Sequence, residues 1–405
     1  MCTSPSAKER TVSAYQRVII IGAGYAGVMA ANRLAGSKSL AGQVQVTVVN
    51  PQAEFIERIR LHEVAAGSRE SAAVPMASLL NPAAAVVVGT AARIDPHARL
   101  VQFADGRDPL AYDRLVYAVG SASATAEAGP EGYGVQSAKE AARLRSRLEQ
   151  LEAGAVVTVV GGGLTGIETA AEIAERHPRL RVRLVSEGGI GADLSTSGRR
   201  ELQRTLRALG VELLENTKVE NSDRSQLTTS SGARLESDCT VWTAGFSTPD
   251  LARVSGLPTD PDGRLLVDET LSVPEFPEIF GAGDAVRPPD SVAAHLRMAC
   301  AVAMPMGAHA ADNIIARLEQ HAPQAFSSGF MARCISLGRT AGLIQFVHAD
   351  DRPRPLAIGR RSGAFVKEQV CRLALRWMRD ELRRSGSYSW PKGPRAAQSQ
   401  LAEAR

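Results

Sequence analysis

The chain has five cysteines and no two of them close. Cys2, Cys239, Cys300, Cys334 and Cys371 form no CxxC or CxxxxC pair. This spacing excludes a redox-active disulfide of neighbouring cysteines and a cysteine-rich zinc site. The seven histidines are scattered, with no HxxxH or HxxE pairing, which argues against a metal centre. Long apolar runs are also missing. About 14 apolar residues between Arg17 and Arg33 are too few to span a bilayer. The start, "MCTSPSAKERTVSAYQ", lacks the apolar stretch of a signal peptide, so the expectation is a cytoplasmic protein. A net charge of +4 gives no footprint of a nucleic-acid reader. The charge is uneven, however. Residues 352–395 hold twelve Lys/Arg against three Asp/Glu, a basic end suited to an anionic surface or partner.

What the chain does contain is glycine in patterned places. At 405 residues it is long enough for two or three domains. "RVIIIG" at 17–22 is continuous and β-branched, as in a buried parallel strand, and "GAGYAG" then leads into a helix pattern. The strand "VQVTVVN" at 44–50 completes a βαβ unit. The same grammar returns at "VVTVVGGGLTGIETAAE", 156–172, followed by the strand "VRLVSE" at 182–187. In the first turn, formed by Gly22, Gly24, Tyr25, Ala26 and Gly27, the three glycines give a tight turn, close approach to a pyrophosphate, and close helix–strand packing. Gly161, Gly163, Leu164, Thr165 and Gly166 repeat this in the second, and each helix N-terminus presents N–H groups to phosphate. The second strands differ at their ends. Glu187 can accept from ribose hydroxyls and repels a 2′-phosphate, so the second site predicts NADH rather than NADPH. The first strand ends in Asn50, an amide that can still bind a ribose hydroxyl.

Three further segments complete the pattern: "YDRLVYAVG" with Ala118 and Gly120, "TVWTAGF" with Ala244 and Gly245, and "EIFGAGDAV" with Gly281, Gly283 and Asp284. Five motifs in this order resemble the two-dinucleotide-binding-domain flavoproteins, over about residues 17–318. Within that superfamily the chain is most similar to type II NADH dehydrogenases. The resemblance implies an α/β fold of two Rossmann-like domains with parallel sheets, the NAD domain inserted in the FAD domain, and a small α+β C-terminal region. The expected boundaries are 14–129 and 263–325 for FAD, 130–262 for NAD, 326–384 for the C-terminal domain, and 385–405 for a disordered tail. It gives Asp284 the ribitol of FAD, puts Glu168 near nicotinamide and flavin as the working side chain, and aims a helix starting near Arg297 at the flavin. The implied activity is hydride transfer from NADH to FAD and onward to a quinone-like acceptor. Two other readings stand beside it: a soluble tailoring enzyme for a quinonoid small molecule, and a slow-turnover redox sensor. The family's glutamine-containing stretch after the GD motif is absent from "LRMACAVAMPMGAHAADNI".

Several segments keep two readings. "FIERIRLHE" either brings Arg58 or Arg60 to FAD phosphates and His62 to the acceptor, or forms an amphipathic helix with Phe55, Ile59 and Val64 inward and its charges solvated. Glu172 reads as a surface or packing residue, and lone Cys300 as inert filler. Pro305 and Gly307 are expected to kink or interrupt their helix. On the last helix, 363–384, Val366, Val370, Leu373, Ala374, Trp377 and Met378 oppose an arginine-rich surface. That helix suits peripheral contact with an anionic membrane, on the inner face, or docking on its own core or a second subunit as a homodimer.

Overall fold

The structure is a computed structural model and describes residues 15–123, 132–223 and 225–394. Its larger sheet has six strands in the spatial order Ser272–Val273, Phe276–Gly281, Arg114–Tyr117, Gln16–Ile21, Val44–Asn50 and Ala84–Val88. All neighbours are parallel except the first pair. Val18 and Ile20 are fully buried, as the unbroken β-branched run requires for a strand covered on both faces. The helices Tyr25–Ala35 and Cys300–Leu318 pack together in the core of this sheet.

Because the sheet joins strands before residue 118 to strands after 271, the chain leaves it and returns. Between lies a second parallel sheet, ordered Glu212–Leu214, Arg181–Val185, Val156–Val160 and Cys239–Trp242, with its own core. A short antiparallel pairing of Ala122–Ser123 with Phe246–Ser247 ties the outgoing and returning connections together. The C-terminal region is a three-stranded antiparallel sheet, Ala332–Ser336, Gly342–Val347 and Pro353–Ile358, followed by the helix Arg360–Arg383.

Three expectations change, and one open reading is decided. The segment "FIERIRLHE" is not one amphipathic helix but spans a strand Glu54–Ile56, a single turn Arg58–Arg60 and a short helix Leu61–Ala66. The reason is that Phe55 belongs to the first core and Val64 to the second, and one helical face cannot serve both. The helix Cys300–Leu318 runs through Pro305 unbroken and starts at Cys300 rather than Arg297. Gly307 serves packing: a Cβ there would collide with the backbone of Ala26, so its absence lets the two helices touch. The C-terminal helix follows one of its readings and docks on its own molecule through buried Gly363, Cys371, Ala374 and Met378, leaving Trp377 exposed. Finally, residues 385–394 are packed. Tyr388 is buried, and Trp390 Nε1 donates to Ser327 O at 2.9 Å. Residues 395–405 and Cys2 lie outside the described residues.

Candidate functional site

Both glycine turns have the same internal geometry. Gly22 (φ 104°) and Gly161 (φ 121°) adopt left-handed backbone that side chains resist. A Cβ on Gly27 would strike the carbonyl of Gly22, and one on Gly166 that of Gly161, so each helix presses onto its own turn. The middle glycines are different: a Cβ on Gly24 or Gly163 would meet nothing within 4 Å. Neither helix start, at Tyr25 or Leu164, is capped by a side chain. Each turn is therefore a concave cradle that faces an N-terminus rich in N–H donors, the shape a pyrophosphate fills. Ala26 is buried behind the first cradle, and Leu164 and Thr165 are half-buried at the second.

At the first cradle, Ala118 packs against Gly22. Asn50 Oδ1 accepts from Ala23 N at 3.0 Å and its Nδ2 donates to Gln52 O at 2.7 Å, so the amide braces the glycine turn. Ser121, which sequence reasoning passed over, donates from Oγ to Asp284 Oδ2 at 3.1 Å. Arg58 Nη1 donates to Ser121 O at 2.7 Å, beside Gly120. Asp284, Gly120, Ser121 and Arg58 thus form one corner, with Gly283 (φ 90°) against Ala26. Burial raises the Asp284 carboxyl above the usual range. At the second cradle, Ala244 and Thr243 close on Gly161, Gly245 turns with φ 75°, and Thr243 Oγ1 donates to Val160 O at 2.9 Å. Glu187 is exposed, with Lys218 Nζ 3.6 Å from its carboxylate.

Glu168 lies between the units. Its Oε1 is 2.8 Å from Lys367 Nζ on the C-terminal helix and accepts from Ser336 N at 2.9 Å. Lys367 also donates to Cys334 O at 2.9 Å. Burial alone would raise the Glu168 carboxyl, but Lys367, His62 and the Ser336 N–H together hold it below its ordinary value. Lys367 remains cationic although buried, because Glu168 outweighs desolvation. Burial pushes the Cys300 thiol up to about 11. It is a protonated thiol.

Of its two readings, surface or packing, Glu172 takes the packed one. It is 1% exposed and pairs with Arg339 Nε at 2.9 Å, and Arg339 also reaches Glu63 at 3.0 Å. Arg60, expected either on phosphate or in solvent, is buried between Glu63 at 2.8 Å and Glu368 at 2.6 Å. Glu168, Glu172 and Glu175 recur at helical spacing and all meet the 336–340 turn. That periodicity was visible in the sequence. A cleft of about 180 Å³ opens beside them, lined by Arg60, Ser336, Gly338, Arg339, Ala364, Lys367 and Glu368. Among the described residues no cluster of His, Cys, Asp or Glu could hold a metal ion.

Two histidines are buried as neutral imidazoles. Burial takes both His62 and His309 down to about 4. An unfolded histidine titrates near 6.5, so between about pH 6.5 and 4 the unfolded chain binds the extra proton. Each histidine's contribution is therefore complete above that window and lost as pH falls through it. Relative to wild type, His309→Gln should gain about 1.4 kcal/mol per pH unit on acidification across the window. Paired thermal melts at several pH values would measure this, and a constant difference would refute it.

Two dinucleotide cradles, the acidic GD corner and the fold around them define a flavoprotein-type oxidoreductase. Residues 16–307 match the family described as pyridine nucleotide-disulphide oxidoreductase, and the chain belongs to that family. It is 35% identical over 326 residues to an NADH dehydrogenase-like protein of Mycobacterium tuberculosis, covering 74% of this chain and 80% of that one. It is 30% identical to a type II NADH:quinone oxidoreductase of the same organism, over 66% of each chain. The solved structure of NDH2 from Plasmodium falciparum in complex with NADH superposes with a TM-score of 0.76 at 14% identity, covering 91% of this chain and 97% of that one. The chain is thus an NADH dehydrogenase-like oxidoreductase with the two-dinucleotide-binding fold.

Proposed function

We propose that this protein holds FAD in the first cradle, takes hydride from NADH docked in the second, and passes the electrons to a quinone-like acceptor. The balance is NADH + H⁺ + quinone → NAD⁺ + quinol. The observation that carries the reading is the buried Glu168–Lys367 pair, in a chain with two glycine cradles and the Asp284 corner. FAD, when bound, supplies the two-electron chemistry. Asp284, Ser121 and Arg58 would hold it beyond the pyrophosphate turn, and the donors of the Tyr25 helix would meet its phosphates. Glu168 stays ionised and fixed by two donors, so it can orient a polar group without reorganising. At neutral pH the proton of the pair rests on Lys367 Nζ, and that buried cation favours negative charge nearby.

An anaerobic NADH titration followed by an acceptor panel tests the proposal. The flavin's visible band should bleach with NADH and recover with a quinone. A colourless protein that cannot be loaded with FAD would overturn it.

Cofactor choice has its own test. Glu187→Gln removes the charge that repels a 2′-phosphate and leaves Lys218 to attract one. The ratio of kcat/KM for NADPH over NADH should rise about tenfold or more, equivalent to about 1.4 kcal/mol. An unchanged ratio would remove Glu187 from the ribose site.

Peripheral membrane contact is a further part of the proposal. Among the described residues no helix is long and apolar enough to cross a membrane. Phe365 and Trp377 are 66% and 39% exposed on a helix rich in arginine, which supports attachment from one side.

A further inference from the structure

We propose that His62 binds the acceptor, donating from Nε2 to a carbonyl oxygen of the quinone beside the Glu168–Lys367 pair. The assignment rests on the quinone reading above and adds a residue to it. His62 is 4% exposed, and its Nε2 is buried without a hydrogen-bond partner. Leaving a buried polar atom without a partner is costly, so a ligand or an ordered water is called for there.

The neighbouring carboxylates do not. Glu168 is taken by Lys367 and Ser336 N, and Glu63 by Arg60, Arg69 and Arg339. These cationic donors outcompete a neutral imidazole, which stays neutral because it is desolvated. Its location is specific. Arg58, four residues earlier, is fixed to Ser121 at the Asp284 corner, and Arg60, between them, lines the charged cleft with Lys367. The segment 58–62 therefore runs from the flavin corner past the cleft-lining Arg60, and His62 follows on the short helix Leu61–Ala66, which packs against the helix that carries Glu168. A neutral N–H suits an uncharged carbonyl, and it leaves the pair's charges to act on the reduced product.

The test separates the two half-reactions in FAD-loaded protein by stopped flow, with menadione as acceptor and His62→Leu and His62→Gln as variants. His62→Leu should be reduced by NADH at close to the wild-type rate. Its reoxidation by menadione should fall about tenfold, and its menadione Kd, read from the perturbed spectrum of the oxidised flavin, should rise similarly. His62→Gln, which keeps a donor, should recover most of both. Wild-type reoxidation and Kd in His62→Leu would show that Nε2 serves a water and would overturn the assignment alone. Equal losses in both half-reactions, with a lower Tm and no rescue by Gln, would make the role structural and also overturn it. Wild-type protein that NADH bleaches but no quinone reoxidises would overturn the acceptor reading and this assignment together.

Discussion

Gly163→Val should give a folded, flavin-loaded protein that NADH reduces only at very high concentration. The backbone at Gly163, φ −72° and ψ 176°, is open to any residue, and a Cβ meets nothing within 4 Å. The fold therefore has no reason to object. The space the valine takes is the space where a pyrophosphate would reach the N–H groups of Leu164 and its successors. Losing two charge-assisted hydrogen bonds costs about 3 kcal/mol or more, so KM for NADH should rise on the order of 100-fold. Gly24→Val applies the same argument to the other cradle, and predicts colourless protein that does not reload with FAD. Gly166→Ala is the contrasting case. Its Cβ would collide with Gly161 O, so turn and helix must separate, and the loss should show in Tm as well as in KM. Stopped-flow reduction and thermal melts on the three variants distinguish these outcomes. Wild-type KM in Gly163→Val would place the nicotinamide cofactor elsewhere.

These glycine roles were legible in sequence because they are local. A tight turn, a cradle and a helix contact are all set within six residues, and the strand–turn–helix order fixes their meaning. The order of motifs likewise anticipated a chain that leaves one parallel sheet, builds a second and returns. What stayed hidden depends on distant partners. Glu172 stayed undecided between surface and packing because Arg339, the cation that lets it be buried, lies 167 residues away. Arg60 and Glu63 escaped both readings of their segment for the same reason: their charges are satisfied inside, by Glu368, Arg69 and Arg339. Lys367 did leave a trace. In a chain that uses arginine for nearly all its basic residues, a lysine in the middle of an arginine-rich helix marks a place for a compact ammonium. It meets one carboxylate oxygen and one carbonyl there, a geometry that does not call for a guanidinium fork. The composition of the tail misled because glycine, serine and proline also suit a chain that winds closely over a surface. Two aromatic residues, Tyr388 and Trp390, hold it there with rings 5.9 Å apart.

Glu381→Ala should be the most destabilising single change outside the glycine turns. The Glu381 side chain is fully buried, with Oε1 2.8 Å from Arg33 Nε. It also accepts from Gly386 N at 2.7 Å and Tyr388 N at 2.8 Å, so it fastens the C-terminal helix, the segment after it and the first glycine helix at one point. Without it, Arg33 keeps Asp312 at 2.8 Å and the Tyr388 carbonyl, but Asp312 is 44% exposed and only partly compensates a buried guanidinium. Removing one partner of such a pair costs about 3–5 kcal/mol, a large share of the roughly 5–15 kcal/mol that stabilises a typical domain. The expected fall in Tm is on the order of 10 °C, with faster proteolysis at residues 385–394. The Glu381 carboxyl is held below its ordinary value chiefly by Arg33, despite burial. Its contribution is therefore present above the unfolded pKa near 4.5 and lost as pH falls through the folded one, so the gap between wild type and Glu381→Ala should narrow in acid. The double variant Arg33→Met, Glu381→Met removes the buried guanidinium, leaves only the part-exposed Asp312 without its cation, and should melt above Glu381→Ala. A Glu381→Ala protein that melts with wild type, or a double variant that melts below Glu381→Ala, would mean that the ion pair does not hold this corner.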